Sequence, residues 1–496
     1  MNYDLIIIGS GPAGLSTLEH LINTEIKVLV IESGNDIEIK NYNSELSKHY
    51  GDFSINFIEE RKIAFFGTTA LWKEPGVGGT FWEFDSIDFE NKLIDSQSRK
   101  WGIGYNEIQE AYKEARKYIN INFNSQNLSH LKRNKEWREI MKNYSIKIAS
   151  NYYTKGRNYE NFIKKKKSQI LKSKNISILF NSTLKEIVLN NDKNQVKNIT
   201  VLDSNNDIVE FYCRELVVST GCFENSKILL NLNNKYDLGI KDLGKYITFH
   251  PSIEIGHIKV EKHSKFTKSF IKDIERVFIL RNKNLDLKEN FNYGISITPE
   301  MDYNFINESI LKKLYTIKTL ANKKSFIDSA KLLIKFFFSK DSISYVLYKY
   351  RNYNNKIRNL KVSIIFEHIA EYDNCIILEN QNLKIYTKLS KRNIDLLKKS
   401  IIINQNIFKK NFKAYKVHKI DYDNLSFETN NHHHGGTIIK STNKKGVVNE
   451  NLRVHDINNL YISGSSIFPN SSIYNPTFTI IAIGLRLSKY LLKKST

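Results

Sequence analysis

The N-terminal stretch constrains the fold of this chain more than any other. Tyr3-Asp4-Leu5-Ile6-Ile7-Ile8 is a short apolar run that breaks at Gly9-Ser10-Gly11-Pro12-Ala13-Gly14 and enters a helical pattern from Leu15 to Ile22. A second apolar strand, Lys27 to Ile31, closes on Glu32. Strand, glycine turn, helix, strand and acid follow in the order of a βαβ unit that holds a dinucleotide. Gly9 permits the tight turn, Gly11 lets backbone approach a pyrophosphate, and Gly14 allows the helix to pack closely. The phosphates would meet the N-terminus of that helix, whose unpaired N–H groups and dipole favour anions. Glu32 offers a carboxylate to a ribose diol. The structural alternative is an ordinary βαβ unit with a glycine-rich turn. A nicotinamide partner would bring a second fingerprint, and Gly76-Val77-Gly78-Gly79 has neither the spacing nor a preceding strand. FAD alone is therefore expected.

At 496 residues the chain is long enough for two packed units. The hydrophobic share of 41% is that of a globular protein. A formal charge of +23 would ordinarily point to nucleic acid or an anionic surface. Here the lysines are scattered through a background rich in Asn and Ile, so no nucleic-acid partner is expected. The tightest basic run, Lys164 to Lys167, reads as a solvated loop or helix face. Cys213, Cys222 and Cys375 lack metal-ligand spacing and are too few to staple the fold, which suits a reducing compartment. No basic leader or cleavage site precedes the first strand, so a cytoplasmic location is expected. No stretch reaches the roughly 20 apolar residues of a membrane span. Residues 306–351 are apolar at helical spacing and rich in lysine; core packing with snorkelling lysines is favoured over peripheral contact with a membrane.

Near the C-terminus, Leu460-Tyr461-Ile462 runs into Ser463-Gly464-Ser465-Ser466, and Tyr474-Asn475-Pro476-Thr477 follows. Asn475 suits an N-cap and Pro476 the first helical position, so a helix is predicted to begin there. Its apolar members Ile480, Ile481, Ile483, Leu485 and Leu487 face inward, and Lys489, Lys493 and Lys494 sit near its negative pole. The start of a buried helix stabilises developing negative charge such as a reduced flavin acquires, and the Thr477 N–H is the candidate donor. A capped structural helix is the alternative.

Taken together, these segments resemble the glucose/methanol/choline oxidoreductase family of flavoproteins. Gly9 to Gly14 with Glu32-Ser33-Gly34 is similar to that family's FAD fingerprint. Arg61 and Phe66-Gly67-Thr68-Thr69-Ala70-Leu71-Trp72 resemble its second flavin motif. Ser219-Thr220-Gly221-Cys222 resembles a strand end returning to the cofactor, and His250-Pro251 a further landmark whose plain reading is a turn with a buried His. His433-His434-Gly435-Gly436-Thr437 and Asn475-Pro476-Thr477 resemble the family's C-terminal half. Phe66 and Cys222 stand where glycine is usual, and Gly464 where many members carry aspartate near the flavin. Together with the Asn475-Pro476-Thr477 ending, that last departure resembles a pyranose-oxidase-like branch. In that branch a histidine of the second motif can bond to the flavin; Leu71 occupies the position here, so a non-covalent FAD is implied.

The resemblance implies an α/β FAD-binding Rossmann-like domain, three-layered with a mostly parallel sheet, combined with an α+β substrate domain containing an antiparallel sheet. The expected division gives residues 1–100, 170–254 and 426–496 to the FAD-binding domain. Residues 101–169 and 255–425 form the substrate-binding cap. The implied cofactor contacts are Gly9, Gly11, Pro12, Ala13, Gly14, Glu32, Gly67, Thr68, Thr69, Leu71, Trp72, Gly221, Gly464, Ser465, Pro476 and Thr477. The implied reaction is oxidation of a CH–OH group of a small alcohol or sugar, with hydride passing to flavin N5.

His433 lies at the family's spacing before Gly436 and Thr437 and is the expected base, with Asn475 orienting the substrate oxygen. In an extended chain His432 and His434 would face away from the pocket if His433 faces in. Consecutive residues rarely converge on one ion, so no metal is expected. A non-redox lyase or isomerase of the same family, or a membrane-surface protein with a vestigial flavin fold, are the rival readings. No motif specifies the electron acceptor or the oligomeric state.

Overall fold

A computed structural model gives the architecture. It describes residues 2–41, 47–55, 61–73, 79–89, 92–94, 97–99, 101–120, 135–148, 150–151, 156–259, 278–282, 291–301, 331, 334–335, 357–422, 425, 427–429, 431–440 and 446–495. In chain order the elements that matter begin with β1 (Asn2–Ile8), α1 (Pro12–Leu18), β2 (Val28–Ile31) and α2 (Tyr105–Tyr118). Next come β3 (Tyr144–Ile148), α3 (Gly156–Lys172), β4 (Ile176–Leu179), β5 (Thr183–Leu189), β6 (Val196–Leu202), β7 (Ile208–Val218) and α4 (Cys222–Tyr236). The remainder are β8 (Ser252–Lys259), β9 (Phe278–Asn282), β10 (Tyr293–Met301), β11 (Ile357–Phe366), α5 (Lys391–Asn411), β12 (Tyr415–Val417), β13 (Leu460–Ile462) and α6 (Thr477–Ser495).

Two mixed sheets organise these elements. The first runs β4-β2-β1-β7-β6-β5, with β13 also beside β7. Its β4, β2, β1, β7 and β13 pair in parallel, while β6 and β5 extend it antiparallel. The residues Leu5 to Ile8, Val28 to Ile31 and Leu216 to Val218 are almost wholly buried, as strands covered on both faces must be. That explains the unbroken apolar runs in their sequence. The second sheet is antiparallel along its long strands, β3-β9-β10-β11-β8, with β12 against β8.

Each sheet has its own apolar core, one containing Ile6, Val217 and Phe478 and the other Ile255, Val362 and Phe408. Residues 101–169 divide between them: Trp101, Tyr112 and Tyr159 belong to the first core, Trp137 and Tyr144 to the second. The cause is α2, which turns Ala111, Tyr112 and Ala115 inward at helical spacing and meets α6, where Tyr112 stacks on Phe478 at 5.4 Å and its Oη lies 2.7 Å from Thr479 Oγ1.

The basic run Lys164 to Lys167 departs from its reading as a solvated face. Lys166 is 6% exposed, paired with Glu19 and 4.2 Å from the centre of the Tyr118 ring, and Lys167 pairs with Asp36. Burial lowers the Lys166 pKa against the pull of Glu19. Of residues 306–351, only Lys331, Ile334 and Lys335 are described, so the membrane-contact reading lies almost wholly outside the described residues. Among the described residues no helix is long and apolar enough to cross a membrane.

Candidate functional site

Three parallel strands end at one edge of the first sheet. Ile8 stands opposite Val218, and Val218 opposite Ile462, so the turns after β1, β7 and β13 emerge side by side. In parallel sheets such carboxyl ends are where ligands gather. Gly9 turns the chain at φ +92°; a Cβ there would lie 2.7 Å from Ser219 O. Gly14 packs so closely that a Cβ would reach Gly9 O at 2.1 Å, whereas nothing lies within 4 Å of one placed on Gly11. The open side of Gly11 faces a cavity of about 1270 Å³, lined also by Gly9, Pro12, Ala13 and Glu32.

Buried Asn225, on α4, joins the other two turns. Its Oδ1 accepts from the Thr220 N–H at 2.8 Å and the Thr220 hydroxyl at 2.9 Å, while its Nδ2 donates to Ser463 O at 3.0 Å and Ser466 Oγ at 2.9 Å. Glu32 stands at the end of β2. One oxygen accepts from the Ser10 N–H and hydroxyl at 2.9 and 2.6 Å, the other from the Gly34 N–H at 2.8 Å. Gly67, Thr68, Thr69, Leu71 and Trp72 form another wall, in a 3₁₀ segment Gly67–Lys73. Phe66 precedes it at φ +74°, a conformation that explains why glycine suits this position.

The histidine segment is anchored from both sides. His434 exchanges backbone hydrogen bonds with Thr248 at 3.0 Å, and the N–H groups of Gly435 and Thr437 donate to Ser465 O and Ser466 O at 3.2 and 2.9 Å. This places His432 and His433 on the same cavity as Gly221, Gly464, Ser465, Asn475, Pro476 and Thr477. His433 lies 4.4 Å from the Phe223 ring centre and 5.6 Å from that of Phe249. Asn475 Nδ2 donates to Thr80 Oγ1 at 2.7 Å, which leaves its second N–H as well as Oδ1 for a ligand. Helix α6 begins at Thr477, one residue after the predicted start.

The alternation expected of the three histidines does not hold. His432 shares the cavity with His433, and only His434 lies away from it, fully buried with its ring stacked 5.6 Å from Phe468. Alternation belongs to a paired strand. Here the regular bridge begins only at His434, and Asn431 turns the chain just before at φ +60°.

Sequence reasoning left His250 as a buried turn residue, yet it lines the cavity and its Nε2 bonds to His432 Nδ1. Burial drives the His250 imidazole down to about 4, and burial, then His250 and the neighbouring histidines, drives His432 well below the ordinary range. Both rings are therefore neutral near pH 7. No sequence spacing could have joined positions 250 and 432, which meet because the segment leading into β8 pairs antiparallel with the histidine segment, Thr248 against His434. Gly14 is the single expected cofactor residue off the lining; its work is packing. Beside the same Phe223 ring, Arg61 pairs with Glu224 and stands 5.5 Å from the ring centre, and Lys227 has its pKa lowered by burial and then by Arg61. These cations suit an anionic ligand.

Residues 378–484 match the family model described as GMC oxidoreductase. The GMC match spans α5, β12, the histidine segment, β13 and the first part of α6. It agrees with the family resemblance read from the sequence and with FAD as the cofactor, and it distinguishes no branch. The fold agrees as well. A crystal structure of formate oxidase is 12% identical, with a TM-score of 0.62, covering 99% of this chain and 98% of that one. A structure of Aspergillus oryzae RIB40 formate oxidase, carrying an arginine substitution studied for FAD modification, is 13% identical with a TM-score of 0.58 over 99% of this chain and 98% of that one. No curated protein sequence matches the chain.

Proposed function

We propose that this protein is an FAD-dependent oxidoreductase that oxidises a CH–OH group of a small alcohol, sugar or sugar derivative. One observation carries the reading: a single cavity joins a dinucleotide cradle to His432, His433 and Asn475. Its volume of about 1270 Å³ exceeds that of most small-ligand pockets, typically about 300–1,000 Å³, as a site for a dinucleotide and a second ligand should. The cradle fits FAD in its parts. Gly11 is open where a Cβ would obstruct a phosphate, the start of α1 presents N–H groups, and Glu32 stands at the strand end where a ribose would lie. Leu71 offers no nucleophile for attachment, so the cofactor is held without a covalent bond through that position.

Bound FAD would supply the two-electron acceptor for the breaking carbon–hydrogen bond. His433 removes the hydroxyl proton, with its ring held against Phe223 and Phe249. Asn475 gives one Nδ2 hydrogen to Thr80 and keeps a second to donate to the substrate oxygen, which leaves the hydroxyl proton to His433. His432, neutral and tied through Nδ1 to His250, has Nε2 to position the same oxygen. The Thr477 N–H, at the start of α6, faces negative charge that develops in the cavity.

The test is anaerobic mixing of the FAD-loaded protein with a panel of alcohols, sugars and formate while the flavin's visible absorbance is followed. Bleaching by at least one alcohol or sugar is expected. Product formation with the absorbance intact would overturn redox chemistry in favour of a lyase or isomerase. Reoxidation in air then separates an oxidase from a dehydrogenase.

A further inference from the structure

Strand β8 breaks its regular pairing once. Between Glu254 and Gly256 its register against β11 shifts, so Glu254 and His257, three apart and on opposite faces of an unbroken strand, fall on the same side. Strand β12 runs close beside the bulge: a Cβ on Gly256 would lie 2.4 Å from Lys416 O. His418 follows β12, and its N–H donates to Ile255 O at 3.1 Å. Gln405, on α5, braces both strands by donating to Ile255 O and His418 O at 2.9 Å each.

Three ligand-bearing side chains are thereby gathered. His257 Nδ1 lies 3.0 Å from His418 Nε2, His418 Nδ1 lies 3.2 Å from Glu254 Oε1, and one donor atom from each of the three lies within 4.8 Å of the others. None of them lines the FAD cavity. With side chains 31% and 38% exposed, Glu254 and His418 leave an entry path for an ion.

We propose that Glu254, His257 and His418 bind a single divalent transition-metal ion, with Zn²⁺ as the best fit. Two imidazoles and one carboxylate form a borderline N₂O set that suits Zn²⁺ rather than the oxygen-seeking Ca²⁺ or Mg²⁺, and water completes the coordination. An ion about 2.0–2.1 Å from both His257 Nδ1 and His418 Nε2 sits to one side of the 3.0 Å line joining them and replaces the hydrogen bond between the two rings. Lys361, on β11, lies 3.2 Å from Glu254 Oε2 and sets part of the carboxylate's charge against its own. Affinity on the order of micromolar, below that of buried structural zinc sites, follows from that competing cation and from the partial exposure. The ion ties the end of β12, and with it α5, to the large sheet at its bulge.

The test uses the full chain, stripped with a chelator and dialysed against Zn²⁺ or Co²⁺ at about 100 μM, well above the expected dissociation constant. Bound metal is measured by mass spectrometry, Co²⁺ geometry by visible absorption, and melting temperature alongside. A single ion, a tetrahedral Co²⁺ band and a raised Tm are expected, and His257→Ala and His418→Ala should each abolish all three while keeping the native circular dichroism. Glu254→Gln should weaken binding about 10- to 100-fold. His432→Ala controls for the other histidine pair and should keep the ion. No uptake of either metal, an ion that survives both alanine substitutions, or one lost only in His432→Ala would overturn the proposal. If an alanine variant loses its native circular dichroism, His418→Gln carries the same expectation.

Discussion

The surroundings of His433 separate it from its two neighbours. Its ring lies against Phe223 and Phe249, His432 is bonded to His250, and His434 is packed on Phe468 beyond the cavity. Replacing His433 by Ala should slow anaerobic flavin bleaching about 10²- to 10⁴-fold, the usual worth of a general base, with FAD still bound. Unchanged reduction kinetics would refute the assignment. Glu32→Ala acts at the other end. It removes the acceptor of Ser10 and Gly34 together with a ribose contact, and hydrogen bonds to a charged group are worth about 1.5–3 kcal/mol, so FAD should dissociate roughly 10- to 100-fold more readily on gel filtration. At this scale the sequence was legible wherever motif spacing is local. The glycines of the first turn and the interval from His433 to Thr437 could be read directly. His250 could not, because its partner is distant in the chain and meets it only in the folded state.

Among the elements, α6 and the turn residues around Asn225 position the site. Asn225 holds two turns with four hydrogen bonds, so Asn225→Ala leaves Thr220 and Ser463 without those partners at about 1–3 kcal/mol for each buried group left unsatisfied. A lower denaturation midpoint in urea and weaker FAD retention are both expected; a loss of stability with FAD retention unchanged would separate the turns from the cofactor. Gly484 sets the approach of α6 to α1: a Cβ there would meet Ser16 Oγ at 2.0 Å and Ala13 O at 3.0 Å. Gly484→Val should therefore push the helices apart and lower Tm by several degrees, since overpacking typically costs about 1–3 kcal/mol. The existence of α1, β1, β2 and α6 was readable from periodicity and from Asn475-Pro476. The bulge in β8 was not, because a register shift depends on the strands alongside, and neither was the inward turn of Lys166, which depends on Glu19 and Tyr118.

Across the whole molecule, buried imidazoles tie stability to pH. Burial holds His250 and His368 down to about 4, and His432 and His434 well below the ordinary range. Between the ordinary imidazole value near 6.5 and about 4, the unfolded chain takes up protons that the folded chain refuses. Stability is thus fully present above about pH 6.5 and falls as the pH drops, by about 1.4 kcal/mol per pH unit for each such histidine. Thermal melts from pH 7 to 5 should show a steady decline, and His368→Asn, at a residue that does not line the FAD cavity, should make it shallower. A flat profile would contradict the burial of these rings. The division into two sheets was foreseeable from the family resemblance, whereas the sharing of residues 101–169 between two cores was not, because α2 declares its partner only when α6 is in place.

The alignment of Ile8, Val218 and Ile462 has a consequence for synthesis. The cradle's first turn follows Ile8, yet its neighbours follow Val218 and Ile462, more than 200 and 450 residues later in the sequence. A ribosome must carry translation past Ile462 before the three turns can stand side by side. Until then the early glycine motif is a grip with one finger, and a chain stopped before Leu460 should leave the ribosome unable to hold FAD.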